Sequence, residues 1–285
     1  MLAPMHQARE TTRFAPSPTG LLHLGHAHSA LFAARQANGG RFLVRLEDID
    51  PGRCRPEFEA AILADLAWLG LDWERPPRRQ SEHLDDYRAA LDRLRAMGLV
   101  YPCFCTRRDI QDEIAGAGHA PHGPDGALYP GTCRRLDPAW AADRQAAGDS
   151  FALRIDVAKA ARMAGRLAWH DRVAGPQAAD PAAFGDVVLA RKDTPTSYHL
   201  AVTVDDALQQ VSLVTRGVDL FAATHVHRLL QALLGLPTPA YHHHRLLTDE
   251  GGRRLAKRDR SLTIAALRAA GRSPAEVRAM AGLPG

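Results

Sequence analysis

Two histidines bracket a leucine and a glycine in His23-Leu24-Gly25-His26, just after the turn-rich Arg13-Phe14-Ala15-Pro16-Ser17-Pro18-Thr19-Gly20 and at the head of an apolar helical stretch. That arrangement suits a nucleoside triphosphate. A helix N-terminus leaves backbone N–H groups unpaired and partly positive, which attracts phosphate. Gly25 lets a flat base approach the main chain, and imidazoles can donate hydrogen bonds to an α-phosphate as it becomes five-coordinate. Far along the chain, Arg254-Leu255-Ala256-Lys257-Arg258 follows a Gly251-Gly252 turn. A basic cluster on a glycine-flanked loop can close over polyphosphate and neutralise the charge that builds as pyrophosphate leaves. His23, Gly25, His26, Arg254 and Lys257 are the candidate ATP residues, with His23, His26 and Lys257 the candidates for catalysis. Taken singly, the first motif is equally a helix cap and the second a solvated loop; their pairing across a whole α/β domain gives them weight.

A second constellation is sulfur-rich. Cys103-Phe104-Cys105 is followed by Tyr129-Pro130-Gly131-Thr132-Cys133. A structural zinc takes four ligands in a tetrahedron, commonly thiolates. Three thiols are present, and residue chemistry leaves the fourth ligand open, with His119 and His122 lying in the intervening loop. Cys54 is isolated and reads as packing. Consecutive residues do not easily converge on one metal, so His242-His243-His244 reads as loop or surface.

These residues need a scaffold. Thr12–Ala15 is a short strand, ended by the two prolines and the glycine that follow. His26–Asn38 reads as a helix closed by Gly39-Gly40. Phe42–Leu46 is an apolar run of the kind found in buried parallel strands. Residues 55–69 and 84–97 are helices by their apolar spacing. Strand, helix, strand, helix is the pattern of an α/β sheet. From Tyr101 the texture changes to glycine, proline and histidine, which suggests an insertion with its own metal. Val187–Ala190, His199–Val204 and Val211–Val214 read as strands, and Ala222–Leu234 as a helix. Ser273-Pro274-Ala275-Glu276 is a capping box with proline at the first helical position.

Composition bounds the rest. The 285 residues, 46% of them apolar, suffice for a real core, and a formal charge of +4 permits a nucleic-acid partner without demanding one. No run of about 18 uncharged apolar residues suggests a membrane span. The start lacks an apolar signal core, and four cysteines in so long a chain do not make a disulfide framework. The expected setting is a reducing cytoplasm, and nothing demands more than a monomer.

The motifs together resemble class I aminoacyl-tRNA synthetases, specifically the glutamyl branch. His23–His26 is similar to that class's HIGH motif, and Arg254–Arg258 to its KMSKS loop. Arg13–Gly20, Leu46–Asp50, Trp68–Trp73, Gln80-Ser81, Thr194–Val202 and Arg216–Asp219 also resemble the glutamyl enzymes in order and spacing. Only about thirty residues follow the KMSKS-like loop, where glutamyl-tRNA synthetases continue into a large anticodon-binding region. That shortness resembles the glutamyl-queuosine tRNA(Asp) synthetases, which activate L-glutamate with ATP and attach it to the queuosine base of tRNA(Asp). The resemblance implies that Arg13 and Arg216 grip the glutamate carboxylates, as guanidinium forks do. Glu47 would face the ammonium, Ser17 would add a hydrogen bond, and Phe14, Ala15, Pro16 and Tyr198 would bound the pocket. It also places Tyr129 as the fourth ligand beside Cys103, Cys105 and Cys133, and Mg²⁺ with ATP. Arg254 and Ala256 depart from the usual loop; Ala256 lacks a hydroxyl, while Lys257 is kept.

The expected fold is therefore a Rossmann-like parallel sheet with a zinc-bearing insertion and a short helical tail. The expected division is 1–100 and 185–247 for the two halves of the catalytic domain, 101–184 for the insertion, and 248–285 for the loop and tail. The site should lie beyond the carboxyl ends of the central strands. Two competing readings remain within this class: a short glutamyl-tRNA synthetase that loads a tRNA 3′ end, and a nucleotidyltransferase of the same HxGH superfamily using another acid. A catalytically silent RNA-binding paralogue is the reading outside it.

Overall fold

The computed structural model describes residues 9–116, 122–124, 126–192, 194–247 and 263–283. The first third alternates strand and helix: β1 (Thr11–Phe14), α1 (Leu24–Gln36), β2 (Arg41–Leu46), α2 (Pro56–Trp68), β3 (Glu74–Arg79) and α3 (Leu84–Ala96). The three strands pair in parallel in the order β1-β2-β3. The run Phe42–Leu46 is buried throughout, its one charged member Arg45 included, which is why it is otherwise apolar. Small residues Ala27, Ala30 and Ala33 on α1 are buried and let the helix lie close to the sheet. Strand β3 was not expected, because its sequence is charged and contains two prolines; it is an edge strand of its sheet, where a missing N–H is tolerated.

The middle of the chain holds β4 (Val100–Cys103), α4 (Arg107–Gly116), β5 (His122–Gly123), β6 (Gly126–Ala127), α5 (Pro138–Ala146), β7 (Ala152–Ile155), α6 (Val157–Ala164), β8 (Ala168–Asp171), β9 (Gly175–Ala178) and β10 (Val188–Arg191). It is followed by α7 (Tyr198–Leu208), β11 (Leu213–Gly217), α8 (Thr224–Leu234) and β12 (Ala240–His244). Strand β7 lies between β10 and β4, antiparallel to both. Strands β11, β12 and β8 run parallel, and β9 turns back on β8. Pairing thus crosses residue 184 in both directions: β8 joins the sheet of β11 and β12, and β10 joins the sheet of β4 and β7.

The two parallel sheets abut at β1 and β11. Ser212 N–H donates to the Thr11 carbonyl at 3.0 Å, and Thr11 N–H donates to Ser212 Oγ at 2.9 Å. Strand order therefore reverses direction between β1 and β11, the switch point at which α/β sheets open a crevice. One apolar core lies among α1, α2, β1, β2 and the tail helices α9 (Ile264–Ala269) and α10 (Pro274–Met280). Another lies among α3, α6, α7, α8, β7 and β10. The capping box at Ser273 and Glu276 forms as expected.

Two expectations are corrected. His199–Val204 is helix α7, capped by the Ser197 side chain, not a strand. Its β-branched run gives a strand-like local signal, but burial on both sides of a packed helix overrides propensity. Thr203 is accommodated by donating its hydroxyl to the His199 carbonyl at 2.8 Å. The second correction is His242–His244, which lies within β12 with His243 and His244 buried, not in a surface loop. No helix among the described residues is long and apolar enough to cross a membrane.

Candidate active site

Four strands deliver the site at their carboxyl ends. Beyond β1 come Ala15, Pro16 and Ser17; beyond β2 comes Glu47; Arg216 and Gly217 end β11; His244 ends β12. Together they line one cavity of about 550 Å³ that also takes in Arg13, Phe14, His23, Gly25, His26, Tyr198 and Asp219. Every candidate substrate or nucleotide residue within the described range therefore meets in one place, and Arg13 and Arg216 share it with His23. Arg254 and Lys257 lie outside the described residues. The flanking residues are placed: Leu247 lines the cavity, and Thr263 forms a bridge with His23.

The His23–His26 turn is built by capping. His23 is the N-cap of α1, accepting the Gly25 N–H on Nδ1 at 3.0 Å, and His26 Nδ1 accepts the His23 N–H at 3.3 Å. The two rings stack with centroids 3.8 Å apart. A side chain at Gly25 would put its Cβ 2.9 Å from the His23 ring, so glycine is needed for this stack. The preceding loop is pinned across the strand ends: Glu47 N–H donates to the Pro16 carbonyl at 3.0 Å and Arg55 N–H to the Pro18 carbonyl at 3.0 Å.

Charge in the cavity is unevenly compensated. Arg13 donates from Nε to Asp206 at 3.0 Å and from Nη1 to the Thr215 carbonyl at 3.0 Å. Arg45, fully buried, pairs with the same Asp206 at 2.9 Å and lies 3.7 Å from both Asp205 and Glu47. Burial pushes the Glu47 carboxyl up to about 7, against the pull of Arg45 and Arg13. Arg216 differs: its partners among the described residues are His243, Tyr198, His227 and Thr224, and none is a carboxylate. The cavity thus joins a buried cation with no acidic partner among the described residues, a carboxyl poised near neutrality, and a helix start carrying two imidazoles.

Sequence reasoning missed Asp205, Asp206, Asp171 and His243. Asp206 orients Arg13, and Asp205 accepts Arg78 Nε at 2.7 Å, Gln80 Nε2 at 2.8 Å and the Tyr87 hydroxyl. The signal was there, since Ser197 opens a helix on which Asp206 follows Val202 by one turn. The strand assignment hid it.

The sulfur-rich constellation also converges. The sulfurs of Cys103, Cys105 and Cys133 lie within 4.8 Å of one another. Tyr129 Oη is 3.3 Å from Cys103 Sγ and 3.7 Å from Cys105 Sγ, and accepts the Cys133 N–H at 2.9 Å. Zinc–sulfur bonds of about 2.3 Å imply tetrahedral S···S edges of roughly 3.8 Å, so this donor set fits such an ion. His119 lies outside the described residues.

The fold and cavity are those of a class I nucleotide-activating domain, and comparison narrows the class. Residues 10–284 match the family described as tRNA synthetases class I (E and Q), catalytic domain. The structure resembles a glutamate tRNA ligase from Elizabethkingia meningosepticum, crystallised with its amino acid, with a TM-score of 0.72 and 27% identity. The match covers 88% of this chain and 52% of that one, so the chain spans about half the length of that ligase. A glutamyl-Q tRNA(Asp) synthetase from Rhodobacter capsulatus is 50% identical over 282 residues, covering 95% of this chain and 99% of the relative. Another, from Symbiobacterium thermophilum, is 46% identical over 278 residues, covering 93% and 83%. The chain belongs to the class I tRNA synthetase catalytic-domain family of the E and Q type.

Proposed function

We propose that the chain activates L-glutamate with ATP and transfers it to the queuosine base in the anticodon of tRNA(Asp). The supporting observation is the single cavity holding Arg13, Glu47, Tyr198 and Arg216 beside the His23–His26 helix start. Identity of 50% along nearly the whole length of a glutamyl-Q tRNA(Asp) synthetase, against 38% to glutamate–tRNA ligases of which the chain covers little over half, favours this acceptor over a tRNA 3′ end.

Arg216 and Arg13 take the two carboxylates, Glu47 the ammonium, and Tyr198 and Ser17 close the pocket with hydroxyls. Phe14, Ala15 and Pro16 form its wall. One carboxylate oxygen attacks the α-phosphorus, the bond to the bridging oxygen breaks, and pyrophosphate leaves. His23 and His26 donate to the α-phosphate, Gly25 admits the base, and Arg254 and Lys257 neutralise the departing pyrophosphate. Catalysis is by positioning and charge stabilisation. Mg²⁺ bound with ATP would supply further neutralisation of the phosphates. A queuosine ring hydroxyl, losing its proton, then attacks the activated carbonyl carbon and AMP departs. We assign the acceptor to a second cavity of about 590 Å³, which shares Tyr198 with the first and is lined by Arg53, Arg154 and Arg191. Zinc, held by Cys103, Cys105, Cys133 and Tyr129, stiffens the insertion behind it.

Glutamate-dependent ATP–pyrophosphate exchange, run beside glutamine and aspartate, tests activation. Transfer to tRNA(Asp) with and without queuosine tests the acceptor; equal charging of both overturns it. The altered loop residues Arg254 and Ala256 favour one rival, a silent RNA-binding paralogue. Folded, zinc-loaded protein with no exchange would establish that rival.

A further inference from the structure

Buried arginines in this protein are normally held by acids: Arg13 by Asp206, and Arg45 by Asp206, Asp205 and Glu47. Arg216, only 6% exposed, breaks that pattern. Its Nε–H donates to His243 Nε2 at 3.1 Å, and its Nη1 faces His227 Nδ1 at 3.2 Å and the Tyr198 hydroxyl at 3.3 Å. Nη2 donates to Thr224 Oγ1 at 2.6 Å. A guanidinium has donors and no acceptor. Both ring nitrogens that meet it must therefore present lone pairs.

Outer partners fix that state. Asp171 Oδ2 lies 2.7 Å from His243 Nδ1 and accepts its N–H, leaving Nε2 free to accept. Asp171 is itself set by the N–H groups of Val173 and Ala174, each at 2.9 Å. On the other side His227 Nε2 lies 3.1 Å from His199 Nδ1, so the Nε2–H is donated outward and Nδ1 faces the arginine. The chain of contacts runs from β8 through β12 and β11 to α8 and α7. The charged groups felt by His227 and His243 are chiefly Arg216 and Arg13, with Asp171 opposing them at His243. Burial first, then Arg216, holds His243 and His199 down to about 4 and His227 well below the ordinary imidazole range. Burial and the facing guanidinium thus both favour the neutral form of each ring.

We propose that His243 and His227 are positioning residues for the amino-acid substrate: neutral acceptors that fix the Arg216 guanidinium yet leave its charge for the substrate carboxylate. Asp171 and His199 set their tautomers. A carboxylate at either histidine position would hold the arginine equally well but would offset its charge and weaken its pull on an anion. This inference rests on the reading of Arg216 as a carboxylate grip.

The test uses His227→Gln, His227→Glu and His227→Leu in the full chain, with KM for glutamate, KM for ATP and kcat taken separately from pyrophosphate exchange. Gln keeps a neutral acceptor and should stay within about threefold of wild type in KM for glutamate. Leu should raise that KM by about tenfold or more, and Glu further still, with KM for ATP unchanged. Gln and Glu are nearly isosteric and differ in charge, so this pair decides the matter even if Leu does not fold. Equal KM for glutamate in the Gln and Glu variants overturns the proposal, as does a Leu variant indistinguishable from wild type. A wild-type protein without glutamate-dependent exchange overturns instead the underlying reading of the site.

Discussion

On the proposed reading, Glu47 is the side chain whose ionisation would govern glutamate binding. Its carboxyl, 11% exposed, titrates near 7 because burial outweighs the attraction of Arg45 and Arg13. It must be ionised to meet an ammonium group, so kcat/KM for glutamate should fall below pH 7, by roughly tenfold per unit. Glu47→Gln should lower kcat/KM and remove that acidic limb, as a pH profile of exchange would show. The sign for stability is opposite. A carboxyl raised in the fold contributes stability at low pH and loses it as pH rises through the folded value. Glu47→Gln should therefore unfold at higher urea than wild type at pH 8, with less difference at pH 5. Gly25 makes a different claim. Gly25→Ala would push its Cβ to 2.9 Å from the His23 ring, displacing a side chain that caps α1. We expect kcat to drop roughly tenfold to a hundredfold with KM for glutamate little changed.

Helix α7 both lines the site and braces it. Tyr198 at its start faces the cavity, and Asp205 and Asp206, near its end, anchor Arg78, Arg13 and Arg45. Removing one partner of a buried pair leaves an uncompensated charge. Asp206→Asn should cost about 3–5 kcal/mol in urea unfolding and loosen Arg13, which chelates Asp206 through Nε and Nη2. In the insertion, Cys103 ends β4 and Cys133 lies in the short helical turn Thr132–Arg135. Their thiols are brought together from distant sequence, so a metal there ties the segments. Cys103→Ser should reduce bound zinc from near one per chain to near none by elemental analysis. Backbone amides of residues 100–135 should then exchange faster, while those of β1 and β2 stay protected.

The cavity exists because two parallel sheets meet. Arg13 and Glu47 come from one, Arg216 and His244 from the other, and the seam between them is the β1–β11 contact. A ligand that bridges the seam binds only when both halves are in place. L-glutamate at a hundred times its Kd should then stabilise the entire fold by about 2.7 kcal/mol, with one cooperative unfolding transition shifted as a unit. Calorimetry would show two transitions, only one of them shifted, if the halves unfolded independently.

Local pattern alone suffices for α1, α2 and α3, because each helix satisfies its own backbone, and for β1 and β2, because a proline- or glycine-rich turn marks an end of each. The motifs named most of the cavity, since phosphate and carboxylate recognition demand particular residue types at fixed points on a turn or strand end. What escaped was long-range. Helix α7 looks extended by propensity and becomes helical through the core it joins. His243 looks like one of three surface histidines until the parallel register of β12 between β11 and β8 sets it beside Arg216 and Asp171. Whether a charge is balanced depends on neighbours contributed by strands far apart in the chain, and packing is what selects those neighbours.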